Sequence, residues 1–268
     1  MFWKILYMLE YLKYFLKKGV NIIDKVNQKN KRLFTAGLIL VALVSFIFLL
    51  WSKGWVIPNA ISANHYDVKG VDVSSYQGEI DWSVLSKQDV QFAFIKATEG
   101  SSFQDPLFKQ NWEQANRKNM RIGAYHFFSY DSKGSTQAAN FIKAVSLKNN
   151  DLPPVIDVEF YGDKKQNLPS QKHVYKELSS MIKRLESHYD KRVILYTTPK
   201  AYDLYIKNRY PECDIWIRDV VKKPTLEEQK KWTFWQYTDK GRLSGYKGKE
   251  TFIDLNVFNG NKAEFEKY

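Results

Sequence analysis

Cysteine occurs once in the 268 residues, at position 213, which excludes an intramolecular disulfide, a cysteine-rich zinc site and a redox Cys-x-x-Cys pair. That Cys213 lies in a strand-like Cys-Asp-Ile-Trp-Ile run and reads as a small buried apolar residue. Histidine is scarce as well. The four, at 65, 126, 173 and 188, have no metal-ligand spacing, so neither a metal nor a cofactor is expected. Gly-x-Ser-x-Gly is absent, and with it the nucleophile elbow of a Ser-His-Asp hydrolase. Acids are in deficit, 29 against 41 Lys and Arg, giving a net charge of +12. About half of that excess lies in residues 1–32, where eight Lys and Arg face two acids. The remainder is only mildly basic, so no nucleic-acid partner is expected.

Aromatic residues, in contrast, make up 16% of the chain. Aromatics fill cores first, and an excess also suits a carbohydrate cleft, where rings stack on sugars. Residues 33–51 carry no charge over nineteen positions, long enough to cross a bilayer as a helix. Lys29, Lys31 and Arg32 precede this run and only Lys53 follows closely, which predicts a single-pass protein with a cytoplasmic N-terminus and the bulk of the chain exported. A cleaved signal peptide is the rival reading, but its apolar core is shorter and a small-x-small cleavage site is missing after Trp51. Within the basic segment 1–32, residues 2–26 place Phe2, Ile5, Leu6, Leu9, Leu12, Phe15 and Leu16 at helical spacing among lysines. This suits a helix lying on the inner leaflet or pairing with a partner helix. Residues 52–67 read as a linker, and 68–268 as the main domain.

Residues 152–161 organise that domain: Leu-Pro-Pro-Val-Ile-Asp-Val-Glu-Phe-Tyr. The prolines stop any preceding helix, and the β-branched and aromatic run after them has the composition of a buried strand. Two carboxylates within such a strand require an explanation. Side chains alternate along a strand, so Asp157 and Glu159 point the same way. Neighbouring carboxylates cannot both ionise cheaply, which leaves a proton donor beside an anion, the equipment for glycosidic cleavage. On this stretch alone an equal alternative is two strand-end acids facing water or pairing with Lys164 and Lys165.

From residue 68 onward strands alternate with helices, which predicts an α/β domain with parallel strands. Strands are expected at 69–73, 91–97, 121–128, 155–160, 192–197, 214–218, 233–237 and 251–255, with helices at 106–119, 135–147, 170–189 and 199–207. Eight strands in about 200 residues, the last linked by segments too short for full helices, indicate a TIM-like β/α barrel with late helices reduced or missing. Asp72, Glu99, His126, Asp157, Glu159, Gln236 and Asp254 fall near strand C-terminal ends, which converge on one rim in a barrel. Beside Tyr125, Tyr196, Trp216 and Trp235, they form a candidate enzyme cleft.

These residues resemble glycoside hydrolase family 25, the Chalaropsis-type lysozymes. The resemblance is carried by Gly70-Val-Asp-Val-Ser-Ser-Tyr-Gln-Gly78, Phe94-Ile-Lys-Ala-Thr-Glu-Gly100, Gly123-Ala-Tyr-His-Phe127, Asp157-Val-Glu159, Leu195-Tyr-Thr197, Trp235-Gln-Tyr237 and Ile253-Asp-Leu-Asn-Val-Phe258, in order across about residues 68–260. It implies a β/α barrel with missing late helices and N-acetylmuramidase activity on the β-1,4 bonds of peptidoglycan glycan strands. It implies Glu159 as proton donor, Asp157 as the carboxylate beside it, and Asp72 and Asp254 as further acids of the cleft. Tyr125 and Gln236 fall in blocks lining the sugar groove, and Tyr196, Trp216 and Trp235 are further substrate-binding candidates. Each has a plainer reading: Asp72 as a loop cap, Gln236 as a backbone partner, the two tryptophans as core. Glu99 is expected to order its loop and His126 to hydrogen-bond behind the site.

The chain departs from the family at Trp216-Ile-Arg-Asp-Val220, where small and aromatic residues are expected, so one groove wall should differ. It departs again in the membrane anchor expected at residues 33–51, which points to remodelling of the cell's own wall or to tethered action rather than release as a free lytic enzyme. Asp157 and Glu159 on one strand are poorly placed for double displacement. Attack by the substrate's own 2-acetamido oxygen fits better, while inversion with Asp254 activating water stays open. The other readings are a silent tethered glycan-binding module and a chitinase-like enzyme, and the protein is expected to be a monomer.

Overall fold

The computed structural model describes residues 10, 13–14, 17–18, 28–118, 120–226 and 231–268. The chain divides into two compact units, one ending at Val56 and one spanning Ile57–Tyr268. The first contains helix α1, Gln28–Ser52, which is long and apolar enough over Asn30–Ser52 to cross a membrane. Its 23 residues would extend about 35 Å, against about 30 Å of bilayer hydrocarbon. The apolar positions of the amphipathic reading, Phe2 to Leu16, lie outside the described residues.

The second unit is a closed barrel. Its strands are β1 Lys69–Val73, β2 Phe92–Glu99, β4 Arg121–Phe127, β5 Val155–Val158, β6 Ile194–Thr197, β7 Asp214–Arg218, β8 Phe234–Gly241 and β9 Ile253–Phe258; β3, Phe103–Gln104, is a short hairpin partner of β2. Neighbours from β1 to β8 pair in parallel, and β9 closes the ring antiparallel to both β8 and β1. The all-parallel expectation therefore fails at the last strand, which also starts two residues later than predicted. With so short a return from β8, the chain has no crossover and can only pair antiparallel.

Helices α2 Phe108–Asn116, α3 Gly134–Ala144 and α4 Gln171–Tyr189 pack outside the early strands. Ser170 caps α4 by accepting from the His173 amide, and Asp190 ends it in the left-handed region at φ 51°. Later coverage shrinks to a three-residue turn, Pro199–Ala201, running into a π-helical stretch, Tyr202–Ile206. Part of the supposed linker fills the gap. Asn59 Nδ2 donates to the carbonyls of Asp219 and Tyr237 at 2.9 and 3.0 Å, and Tyr66 packs edge-on against Trp232 at 5.3 Å. The compact unit thus starts at Ile57 rather than at 68, because these side chains cover β7 and β8 where a helix is lacking.

Strand alternation sorts the barrel into an inner and an outer core. Phe92, Phe94, Val155, Ile194, Trp216, Phe234 and Phe258 fill the inside, while Ala93, Ile95, Ile156, Leu195, Ile215 and Trp235 face outward. Gly70 and Gly123 leave room for the inner phenylalanines: a Cβ on Gly70 would lie 2.4 Å from the Phe92 ring, and one on Gly123 2.7 Å from that of Phe94. At the base, Phe265 and Tyr268 of the C-terminal segment pack on Phe92, Phe234 and Phe258. The base is aromatic with a polar edge, where the Tyr268 hydroxyl donates to Asp214 Oδ2 at 2.7 Å and the Arg121 guanidinium lies 5.0 Å from the centre of the Phe265 ring; the acids of the cleft gather at the top.

Candidate active site

The top of the barrel opens into two adjoining hollows of about 360 and 600 Å³, which share Glu159, Tyr196, Asp239 and Asp254. The first is also lined by Asp72, Lys96, Tyr125, Asp157 and Trp216. The second adds Lys165, Lys200, Arg218 and Gln236.

Asp157 and Glu159 share the first hollow, although β5 ends at Val158 and Glu159 follows it as the chain leaves the sheet. Burial drives the Asp157 pKa well above the carboxylate range, and the Glu159 charge drives it further. Burial raises Glu159 too, opposed by Arg218, Lys165 and Lys96. The two titrate as a pair, and one proton is favoured between them. Asp157 Oδ1 is buried and has no hydrogen-bond partner among the described residues. Neither acid pairs with Lys164, which is held instead by Asp131 at 3.0 Å and Asp163 at 3.7 Å.

Opposite β5, Asp72 of β1 lies directly across the antiparallel ladder from Asp254 of β9. Asp254 sits at the start of its strand, not its C-terminal end; it reaches the same rim because β9 runs the other way. The two carboxyls are hydrogen-bonded to each other. Asn256 Nδ2 donates to Asp72 Oδ2 at 2.7 Å, and Trp216 Nε1 donates to Asn256 Oδ1 at 2.8 Å. Burial raises Asp72 to about 6 despite these donors, and burial with the Asp72 charge raises Asp254 well above its usual range.

Tyr125 faces Asp72, Asp157 and Asp254, whose charges together with burial keep its phenol protonated. Tyr196 donates to Gln236 Oε1 at 2.6 Å, and Trp216 stacks on Phe94 at 4.4 Å in the floor. Trp235 does not join them. It follows Phe234 and precedes Gln236, both inward, so it faces outward, wholly buried against Tyr66 and Trp232, with Nε1 donating to the Asp219 carbonyl at 2.9 Å. His126 also faces away from the rim. Its Nδ1 lies 2.7 Å from Thr98 Oγ1 and its Nε2 3.1 Å from Gln137 Oε1, and burial lowers its pKa to about 4, so it stays neutral. Glu99 lines neither hollow and pairs with Lys96 at 2.7 Å.

Three functional side chains escape a search for acids. Lys96 and Arg218 are the cations that offset the carboxylates, Arg218 being paired with Asp239; Asn256 fastens Asp72. All three follow the alternation already applied to Asp157: Lys96 is two beyond Phe94, Arg218 two beyond Trp216, and Asn256 two beyond Asp254. The divergent block 216–220 puts Arg218 into the second hollow and turns Asp219 out to the Asn59 contact.

A barrel with four carboxyls gathered at its open end, two of them two residues apart at the end of β5, has the makings of a glycoside hydrolase. A sequence model of the glycosyl hydrolases family 25 matches residues 71–246. A family 25 glycosyl hydrolase structure from Bacillus anthracis is 63% identical, covers 76% of this chain and 94% of its own, and superposes with a TM-score of 0.73. The lysozyme of Streptomyces coelicolor is 32% identical, with coverage of 74% and 95% and a TM-score of 0.67. Lysozyme M1 of Streptomyces globisporus is 31% identical over 73% of this chain and 69% of its own. The chain belongs to glycosyl hydrolase family 25 and is a glycoside hydrolase.

Proposed function

We propose that the chain hydrolyses peptidoglycan, cleaving the β-1,4 bond between N-acetylmuramic acid and N-acetylglucosamine from the outer face of a membrane. Residues 33–51 would span the bilayer, 1–32 would stay in the cytoplasm, and the barrel would face the wall. The length and apolarity of α1 support the anchor, and the lysozyme relatives support the substrate.

The observation that carries the chemistry is the Asp157–Glu159 wall, with Asp157 Oδ1 buried and without a partner among the described residues and one proton favoured between the two acids. Glu159 gives its proton to the leaving glycosidic oxygen as the bond to the anomeric carbon breaks. The substrate's 2-acetamido oxygen closes on that carbon, and Asp157 accepts from the acetamido N–H as positive charge develops there. Water then opens the cyclic intermediate, returning a proton to Glu159 and giving a product of retained configuration. Inversion through Asp254 is disfavoured, because a carboxyl that shares a proton with Asp72 is a poor base for water.

Release of soluble muropeptides from purified peptidoglycan by the full chain in detergent, beside Glu159→Gln, tests the activity. Reducing-end muramic acid from the wild type alone is expected. Wall binding without release would leave a tethered scaffold. Anomeric NMR of the first product tests the route, and an inverted product would sink acetamido assistance.

A further inference from the structure

The two hollows differ in charge. Acids dominate the first, whose one lining cation, Lys96, is tied to Glu99. The second is lined by three cations, and only Arg218 is committed, to Asp239. Lys165 and Lys200 form no ion pair among the described residues, although the Lys165 charge reaches Glu159. Lys165 ends the short 3₁₀ turn Gly162–Lys165, whose other lysine, Lys164, is consumed by Asp131 and Asp163. Lys200 is steadied at the wall, with Nζ 5.3 Å from the centre of the Phe160 ring. Both lysines line the second hollow together with Glu159, the proposed acid.

A neutral sugar chain makes no use of two unpaired cations at a cleft mouth; an anionic one does. Muramic acid carries a lactyl ether ending in a carboxyl, either free or extended by a peptide with carboxylates of its own. We propose that Lys165 and Lys200 form a cationic lip that binds carboxylates carried by the substrate strand and so selects muramic-acid strands over neutral glycans. This rests on the peptidoglycan reading above. The lip also bears on the chemistry: the Lys165 charge pulls the Glu159 proton off, so a substrate carboxylate docked there returns that proton to the acid that needs it.

The test compares kcat/KM of the full chain in detergent on three substrates: peptide-bearing strands, the same strands with carboxylates amidated, and strands stripped of peptide to the free lactyl carboxylate. Both lysines are exposed, so Lys165→Gln/Lys200→Gln should fold, which circular dichroism checks. Wild type should lose about fivefold on amidation, a size set by two exposed ion pairs. The double Gln variant should be equally slow on native and amidated strands, and Lys165→Arg/Lys200→Arg should keep the wild-type preference. A preference retained on stripped strands assigns the lactyl carboxylate; one confined to peptide-bearing strands assigns the peptide. Equal wild-type rates on native and amidated strands, or a preference surviving in the Gln variant, would overturn the lip and leave the muramidase reading standing. Cleavage of none of the three would overturn both.

Discussion

The two acid walls of the cleft use the same side chain in opposite ways. At the end of β5, Asp157 and Glu159 come from consecutive inward positions of one chain segment, and Asp157 Oδ1 is buried without a partner among the described residues. Across the barrel, Asp72 and Asp254 come from two antiparallel strands and are fully engaged, with each other, with Asn256 and, through it, with Trp216. An unsatisfied buried acceptor costs stability and persists where a ligand can satisfy it. A satisfied carboxyl pair is architecture. The difference assigns the β5 wall to bonds that change during the reaction and the β1/β9 wall to holding the site in shape and charge.

If that division is right, the largest loss comes from Glu159→Gln, which keeps the shape and removes the proton. Turnover on peptidoglycan should fall about a thousandfold, within the span of general-acid contributions, with an unchanged melting temperature. A loss below tenfold would move the proton donor to another group. Next comes Asp157→Asn, expected to cost about a hundredfold, since an amide cannot balance charge on the acetamido group. Its KM should stay near wild type, because the loss is in the transition state. A pure KM effect would turn Asp157 into a binding residue and blur the contrast between the walls.

Asn256→Leu probes the other wall and should cost about tenfold in kcat/KM near pH 6, with a distinct signature. The Asn256 donor holds the Asp72 pKa down to about 6, so its loss moves that pKa, and the acid limb of the rate profile, upward. Activity should partly recover at pH 8. The fold should lose about 2–4 kcal/mol as Asp72 loses its Asn256 donor and the Trp216 N–H is left buried without its acceptor. A uniform loss at all pH values would indicate that Asn256 only packs.

Much of this was legible in the sequence through one rule, strand alternation. It put Asp157 and Glu159 on one wall, and the short late segments announced the reduced helices. The same rule, applied consistently, separates Gln236 from Trp235; naming both as groove residues ignored that neighbours on a strand face opposite ways. His126 obeys the rule too: standing between inward Tyr125 and Phe127, it hydrogen-bonds to Thr98 and Gln137 behind the site. Strand direction was not written in any local pattern: β9 looks like its neighbours, and only ring closure shows that it runs backwards and presents Asp254 from its first turn of chain. Arg218 and Lys96 were hidden because cations in strands draw less notice than acids, although both offset the charge of the cleft carboxyls.

The smallest effect expected is on stability, and it separates the walls by titration. Asp72 is raised to about 6 and Asp254 well above its ordinary 3.8, so the folded pair holds protons that the unfolded chain has already released by pH 5. A folded pKa above the unfolded one gives stability that is full below about pH 4 and lost as pH rises through the folded value. At pH 7 the pair is therefore a burden. Asp254→Asn removes one ionisable member and leaves an amide that can still donate to Asp72. The variant should melt about 3 °C above wild type at pH 7, for a gain of about 1 kcal/mol, and no higher than wild type at pH 4. His126, lowered to about 4, titrates in both proteins and cancels in the difference. A variant that is less stable at both pH values would mean that hydrogen bonding, not charge, governs this wall. Asp72 and Asp254 would then be held as tightly at neutral pH as in acid, and the cost of keeping acids in the cleft would fall on β5 alone.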